Sequence, residues 1–122
     1  MAYLIRFSYF VDLNRMKDFS PYVADLLNDN IPALIYAGDV DFICNYMGNR
    51  AWTLNLDWKS GDEFRNADDH EWGEGDGAPF GLARSANGFT FLQVYDAGHM
   101  VPSDQPAVAL KMIQNFVEGI EF

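Results

Sequence analysis

Two short apolar runs punctuate the chain, and each is closed by a polar loop. Ala33-Leu34-Ile35-Tyr36-Ala37 lies between Pro32 and Gly38, and residues 89–95 lead through Phe89, Phe91, Leu92, Val94 and Tyr95 into Ala97-Gly98-His99. A continuous apolar run of this length predicts a strand buried on both faces, as in a parallel sheet. Around these runs the spacing becomes helical. Phe19, Val23, Leu26 and Leu27 share a face of an expected helix over residues 16–28, with Pro21 in an early turn that tolerates it. A second helix is expected over residues 44–56, with Met47, Ala51, Trp52 and Leu54 available for burial. Ala109, Met112, Ile113, Phe116 and Ile120 make one face of a closing helix, and Ser103-Asp104-Gln105-Pro106 reads as its start, a polar cap with an early proline. Residues 58–87 are acidic and glycine-rich and read as turns with a short hairpin. Helix, strand, helix, loop, strand, helix is an α/β order. Two buried strands joined through helices imply a parallel pair with a right-handed crossover.

The polar loops gain importance from that reading, because ligands of open α/β sheets bind beyond the carboxyl ends of the strands. Gly38-Asp39-Val40-Asp41 follows the first strand and Ala97-Gly98-His99 the second. Neighbouring parallel strands would bring Asp41 and His99 together, and a histidine oriented by a carboxylate is two-thirds of a nucleophilic triad. Aspartate followed by histidine, with the nucleophile earlier, is the chain order of the α/β-hydrolases. Spacing alone leaves a plainer alternative open. Gly-Asp-x-Asp is also an ordinary turn, and a histidine after a strand is often a packing or surface residue.

Composition narrows the partners. The 122 residues suffice for one domain, and 49% apolar with 16% aromatic content excludes a disordered chain. A formal charge of −10 argues against a nucleic-acid partner. No apolar run is long enough to cross a bilayer, so no membrane partner is expected. Cys44 is the only cysteine, which precludes an internal disulfide or a cysteine-based metal site. Asp68-Asp69-His70-Glu71 could attract a hard ion, but consecutive residues seldom converge on one, and a solvated acidic loop is the favoured reading. Glu74-Gly75-Asp76-Gly77 lacks calcium-loop spacing. Trp52, Trp58 and Trp72 could wall a peptide site, although core packing is the default for tryptophan.

Two longer segments say more. Residues 32–52, PALIYAGDVDFICNYMGNRAW, resemble the catalytic-aspartate segment of the serine carboxypeptidases, and residues 94–106, VYDAGHMVPSDQP, resemble the same family's histidine segment. The likeness covers residues 16–116. It implies the C-terminal part of an α/β-hydrolase fold, ending in the last two parallel strands with flanking helices. It also implies release of C-terminal residues from peptides or proteins, favoured at acidic pH, in a lysosome, vacuole or secretion, with no cofactor and no metal. The family's aspartate falls on Asp41 and its histidine on His99. Asp39 then shapes the loop. Met100 matches a residue lining the leaving-residue pocket, and Cys44 matches an unpaired cysteine near the substrate; a small buried apolar residue is an equal reading for Cys44.

The nucleophile is missing from this constellation. Ser8, Ser20, Ser60, Ser85 and Ser103 all lack a Gly-x-Ser-x-Gly context, and no glycine-rich oxyanion loop is present. The chain is therefore expected to be inactive alone and to work with an N-terminal part of the hydrolase domain, on the same or a separate chain. The apolar start, residues 1–11, fits a beginning inside a larger domain better than a signal peptide, and residues 1–15 are unplaced. Strand 33–37 is expected to lack its inner neighbour and expose an edge. Two other functions remain: an acyltransferase using the same triad on sugar esters, as in some plant relatives, and a non-catalytic peptide-binding fragment.

Overall fold

A computed structural model describes residues 18–122 apart from Asp76. The apolar opening stretch, the unplaced residues 1–15 and the first two positions of the expected helix over residues 16–28 lie outside the described residues.

The first described helix, α1, is Ser20–Asn28. Pro21 occupies its opening turn, and the Asp18 carboxylate accepts from the Ser20 N–H at 2.9 Å, satisfying one donor that the helix start leaves free. Asn30 ends it in the left-handed region at φ 63°. The chain then runs into β1, Ala33–Gly38, and through a polar loop into α2, Tyr46–Leu54. Here the cap is a side chain: Asn45 accepts from the Gly48 N–H at 2.8 Å.

Residues 58–87 hold much more structure than the composition suggests. They form α3, Gly61–Asn66, then β2, His70–Trp72, and β3, Gly81–Ala86. The expected short hairpin is there as the antiparallel pair of β2 and β3, whereas the expectation of turns is corrected by α3. One signal was present in the sequence. Asn87-Gly88 joins β3 to β4, Phe89–Val94, with both residues at positive φ (47° and 83°), the requirement of a tight two-residue hairpin whose twist matches its strands. The rest of the region is held by long-range pairing that no local pattern announces. Arg84, buried on β3, donates to Asp69 at 2.7 Å and to the carbonyls of Phe64 and Arg65, and Arg50 pairs with the same Asp69. Asp69 is thus the counter-ion of two guanidinium groups, and His70 Nε2 donates to the Phe122 carbonyl. Two of the four residues of the acidic run, Asp69 and His70, are thus bonded to other parts of the fold.

After β4 come the one-turn helix α4, Val101–Asp104, and the closing helix α5, Pro106–Glu118. Proline stands at the first position of α5 as expected, but Gln105 caps it without a side-chain bond, so the predicted polar cap is not formed. Gly119 ends α5 at φ 68°.

The sheet order is β1-β4-β3-β2. β1 and β4 are parallel, from Ala33 opposite Phe89 to Gly38 opposite Val94; β4-β3 and β3-β2 are antiparallel. The expected parallel pair is present within a mixed four-stranded sheet. Both faces of β4 are covered. Phe89 and Phe91 point into a layer with Ala24, Leu27, Leu56, Trp58 and Phe64, whereas Leu92 and Val94 join Trp72, Ala97, Val101, Ala109 and Met112. That explains why apolar residues recur at both odd and even positions of β4, since alternate residues bury on opposite sides. Full burial of each such side chain contributes about 1.5–3 kcal/mol. Trp58 packs edge-on to Phe89 at 5.9 Å, so Trp58 and Trp72 are core residues. β1 has a single neighbour among the described strands, and its Tyr36 is exposed. No described helix is long and apolar enough to cross a membrane.

Candidate active site

The parallel register sets the site. Gly38 and Val94 are opposite one another at the carboxyl ends of β1 and β4, so the loops that follow leave the sheet side by side. Three contacts lace them together. Asp39 N–H donates to the Val94 carbonyl at 2.9 Å, Val40 N–H donates to the Ala97 carbonyl at 3.1 Å, and the Asp39 carboxylate accepts from Ala97 N–H at 3.4 Å. Asp39 therefore bridges the loops.

Asp41 sits in the inner turn and is 8% exposed. Its Oδ1 accepts two backbone N–H groups, from Ile43 at 2.9 Å and Cys44 at 3.0 Å, and its Oδ2 faces His99 Nδ1 at 2.9 Å. The two residues are 58 apart in sequence. Burial opposes ionisation of Asp41, but the bonds from His99, Cys44 and Ile43 outweigh it and hold the carboxyl below its ordinary value of 3.8. An ionised carboxylate only accepts, so His99 Nδ1 carries the proton and Nε2 is left with a lone pair. The His99 side chain is 58% exposed, and Nε2 is free to take a proton from a third group.

The histidine loop has its own braces. Asp96 turns the chain at φ 54°, Gln105 donates to the Asp96 carbonyl at 3.1 Å, and Gly98 N–H donates to the Asp104 carboxylate at 2.8 Å. The sequence places Asp104 in a helix cap, whereas it turns back to the histidine loop. Asn49 is a further residue that pattern reading assigns only to a helix, and it is bonded to Trp52. Asn49 donates to the Cys44 and Asn45 carbonyls, and its Oδ1 accepts from Trp52.

Cys44 and Met100 both lie at the rim and are exposed; the equal reading of Cys44 as a buried apolar residue is corrected, since its side of the loop faces solvent. Ligand atoms of Asp41, Cys44 and His99 lie within 4.8 Å of one another. Asp41 and His99 Nδ1 already bond to each other, which leaves Cys44 Sγ and His99 Nε2 unspent, fewer than the three protein ligands of a catalytic zinc. The rim is apolar: Val40, Phe42, Ile43, Met47 and Met100 are all exposed.

Acid should act on this pair in a defined window. The folded-state value of Asp41 lies below the 3.8 of an unfolded aspartate. Its contribution to stability is then complete above about pH 3.8 and lost as pH falls through the lower folded value. Asp69, lowered by its two arginines against the opposing effect of burial, acts in the same window. Thermal midpoints followed by circular dichroism should fall below pH 4, and less steeply in Asp41→Asn. Equal acid sensitivity in the two proteins would contradict the depressed value.

A sequence profile described as serine carboxypeptidase matches residues 7–119. A vacuolar serine-type carboxypeptidase of Saccharomyces cerevisiae is 45% identical over 104 residues, covering 84% of this chain and 20% of that protein. Carboxypeptidase Y of Komagataella phaffii is 46% identical over 104 residues, covering 85% of this chain and 20% of that protein. The crystal structure of a prohormone-processing carboxypeptidase from Saccharomyces cerevisiae superposes with a TM-score of 0.73 at 26% identity, covering 82% of this chain and 22% of that one. The chain spans about a fifth of the length of these relatives. Strand order, paired loops and shared sequence all lead to one conclusion: this chain belongs to the serine carboxypeptidase family.

Proposed function

We propose that this chain supplies the aspartate and histidine of a Ser-His-Asp triad in a serine carboxypeptidase that releases C-terminal amino acids from peptides and proteins. The observation that carries this is the 2.9 Å contact between His99 Nδ1 and an Asp41 carboxylate that two backbone N–H groups hold in place. A serine on polypeptide outside these 122 residues attacks the last peptide bond. His99 Nε2 takes its proton and returns it to the leaving amino acid, while Asp41 holds the tautomer and offsets the imidazolium charge. Met100, on the rim, lines the pocket of the leaving residue, and Cys44 lies near the substrate. The chain by itself does not hydrolyse peptides, since none of its serines stands in a nucleophile elbow. Its net charge of −10 suits an acidic compartment, where partial protonation relieves self-repulsion, and vacuole or secretion is the proposed setting.

The test offers a blocked dipeptide and an acyl-glucose donor to the serine-bearing enzyme assembled with this chain. Free C-terminal amino acid should appear with the peptide and vanish with His99→Ala. Undiminished release by that variant defeats the triad assignment. Acyl transfer without peptide hydrolysis would point to the acyltransferase, and peptide binding without either reaction to a non-catalytic role.

A further inference from the structure

The Asp41 loop is braced from behind by a side chain that no part of the triad chemistry requires. Asn49 lies in the first turns of α2, half-buried. Its amide makes three of the four hydrogen bonds open to it: Nδ2 donates to the Cys44 carbonyl at 2.9 Å and the Asn45 carbonyl at 3.1 Å, and Oδ1 accepts from Trp52 Nε1 at 3.0 Å. This orientation is the one the chemistry permits. The indole N–H only donates and the two carbonyls only accept, so a flipped amide would lose all three bonds. Trp52 in turn packs against the layer that contains Trp58, Phe64 and Phe89.

A continuous relay results. Trp52 N–H bonds Asn49 Oδ1, Asn49 N–H bonds the Cys44 carbonyl, Cys44 N–H bonds Asp41 Oδ1, and Asp41 Oδ2 accepts from His99 Nδ1. We propose that Asn49 is a positioning residue for this reaction, tying the Asp41 loop to the core through Trp52 so that the carboxylate meets His99 in the productive orientation. The proposal rests on the triad reading above. Asn49 touches neither substrate nor reacting atoms, and acts through the Cys44 peptide.

Asn49→Asp is the informative variant. It keeps the shape and the bond from Trp52 but sets an anionic oxygen against two carbonyl oxygens, pushing the Cys44 peptide away. Protonation of that carboxyl restores an O–H donor, so acid should repair the defect. Asn49→Ala has no donor to regain. Asp39, Asp41 and Cys44 on the braced loop, and Asp96, His99 and Asp104 on and against the histidine loop it meets, are the ionisable groups around this relay. Their titration is common to variant and wild type, and the ratio of the two kcat values at each pH cancels it.

In the serine-bearing enzyme, kcat of Asn49→Asp should be about 10²-fold below wild type at pH 7, the order of effect of a 1 Å misplacement, with KM little changed. The ratio should recover about tenfold by roughly pH 4.5, where an aspartyl carboxyl beside carbonyl oxygens is largely protonated. Asn49→Ala should be equally slow with a pH-independent ratio. Full activity of Asn49→Asp at pH 7, or a ratio that stays flat on acidification, overturns the proposal. Should Asn49→Asp fail to fold, Trp52→Phe keeps the ring and removes the N–H; it should lower kcat about tenfold, and an unchanged kcat overturns the proposal equally. His99→Ala is assayed alongside. Activity in that variant defeats the triad reading itself, a different result from a failure of Asn49 alone.

Discussion

Asn in place of Asp41 should lower kcat of the serine-bearing enzyme by about 10⁴, the usual cost of losing the orienting carboxylate of a triad. The geometry gives the reason. Oδ1 of Asp41 accepts from Ile43 and Cys44 N–H, so the amide oxygen of an asparagine would be held in that place. Its NH₂ would then face His99 Nδ1, where Oδ2 now stands at 2.9 Å. Two donors cannot share that line. His99 would present a lone pair at Nδ1 and carry its proton on Nε2, where it cannot accept one from serine. Substrate contacts are untouched, so KM should stay within a few-fold while kcat collapses. The isolated chain should keep its fold, because the two backbone bonds survive. A loss of less than about tenfold in kcat would remove Asp41 from the triad.

The second large effect is expected from a residue with no side chain. Gly38 closes β1 immediately before the Asp41 loop. A Cβ there would lie 2.1 Å from the Ala97 carbonyl oxygen and 2.5 Å from that of Gly98. Both contacts are with backbone of the histidine loop, which cannot rotate away. The φ of Gly38 is not in the left-handed region, so the demand for glycine comes from close approach. Gly38→Ala must therefore part the two loops, breaking the Val40–Ala97 bond and separating Asp41 from His99. We expect a loss of about 3 kcal/mol, the upper end for overpacking, read from urea unfolding. Turnover should fall about 10²-fold or more, as reacting groups move by an ångström. Wild-type stability and turnover in Gly38→Ala would show that the loops tolerate separation. The combination distinguishes this variant from Asp41→Asn, which loses turnover but gives up only the stability that the Asp41 carboxylate contributes by ionisation.

Local patterns carried much of the fold. Apolar runs marked β1 and β4, although only β4 is buried on both faces, β1 being half-buried with Tyr36 exposed. A helical period marked α5, where Ala109 and Met112 of the expected face are buried together with Asn115 while Ile113 and Ile120 are exposed. The region between residues 58 and 87 resisted, since its order comes from partners distant in sequence: Asp69 with Arg50 and Arg84, and β3 with β4. No stretch of composition encodes such pairing, although Asn87-Gly88 did encode the hairpin turn. At the site, Asp41 and His99 were legible as loop residues after buried strands, and the resemblance of their flanking segments singled them out. The supporting residues were not. Asn49, Trp52, Asp104 and Gln105 sit at helix positions where any polar or aromatic residue would look ordinary.

By itself, then, the sequence determined where the apolar strands lie, which loops are polar and which two side chains are proposed for the triad. These properties depend on neighbours one to four residues away, so they are written locally. Only the tertiary structure decided that Gly38 meets Ala97, that Asp41 reaches His99 across 58 residues, and that Asn49 supports the loop between them. Those contacts follow from the register of two parallel strands, a property of the pair that neither strand contains alone.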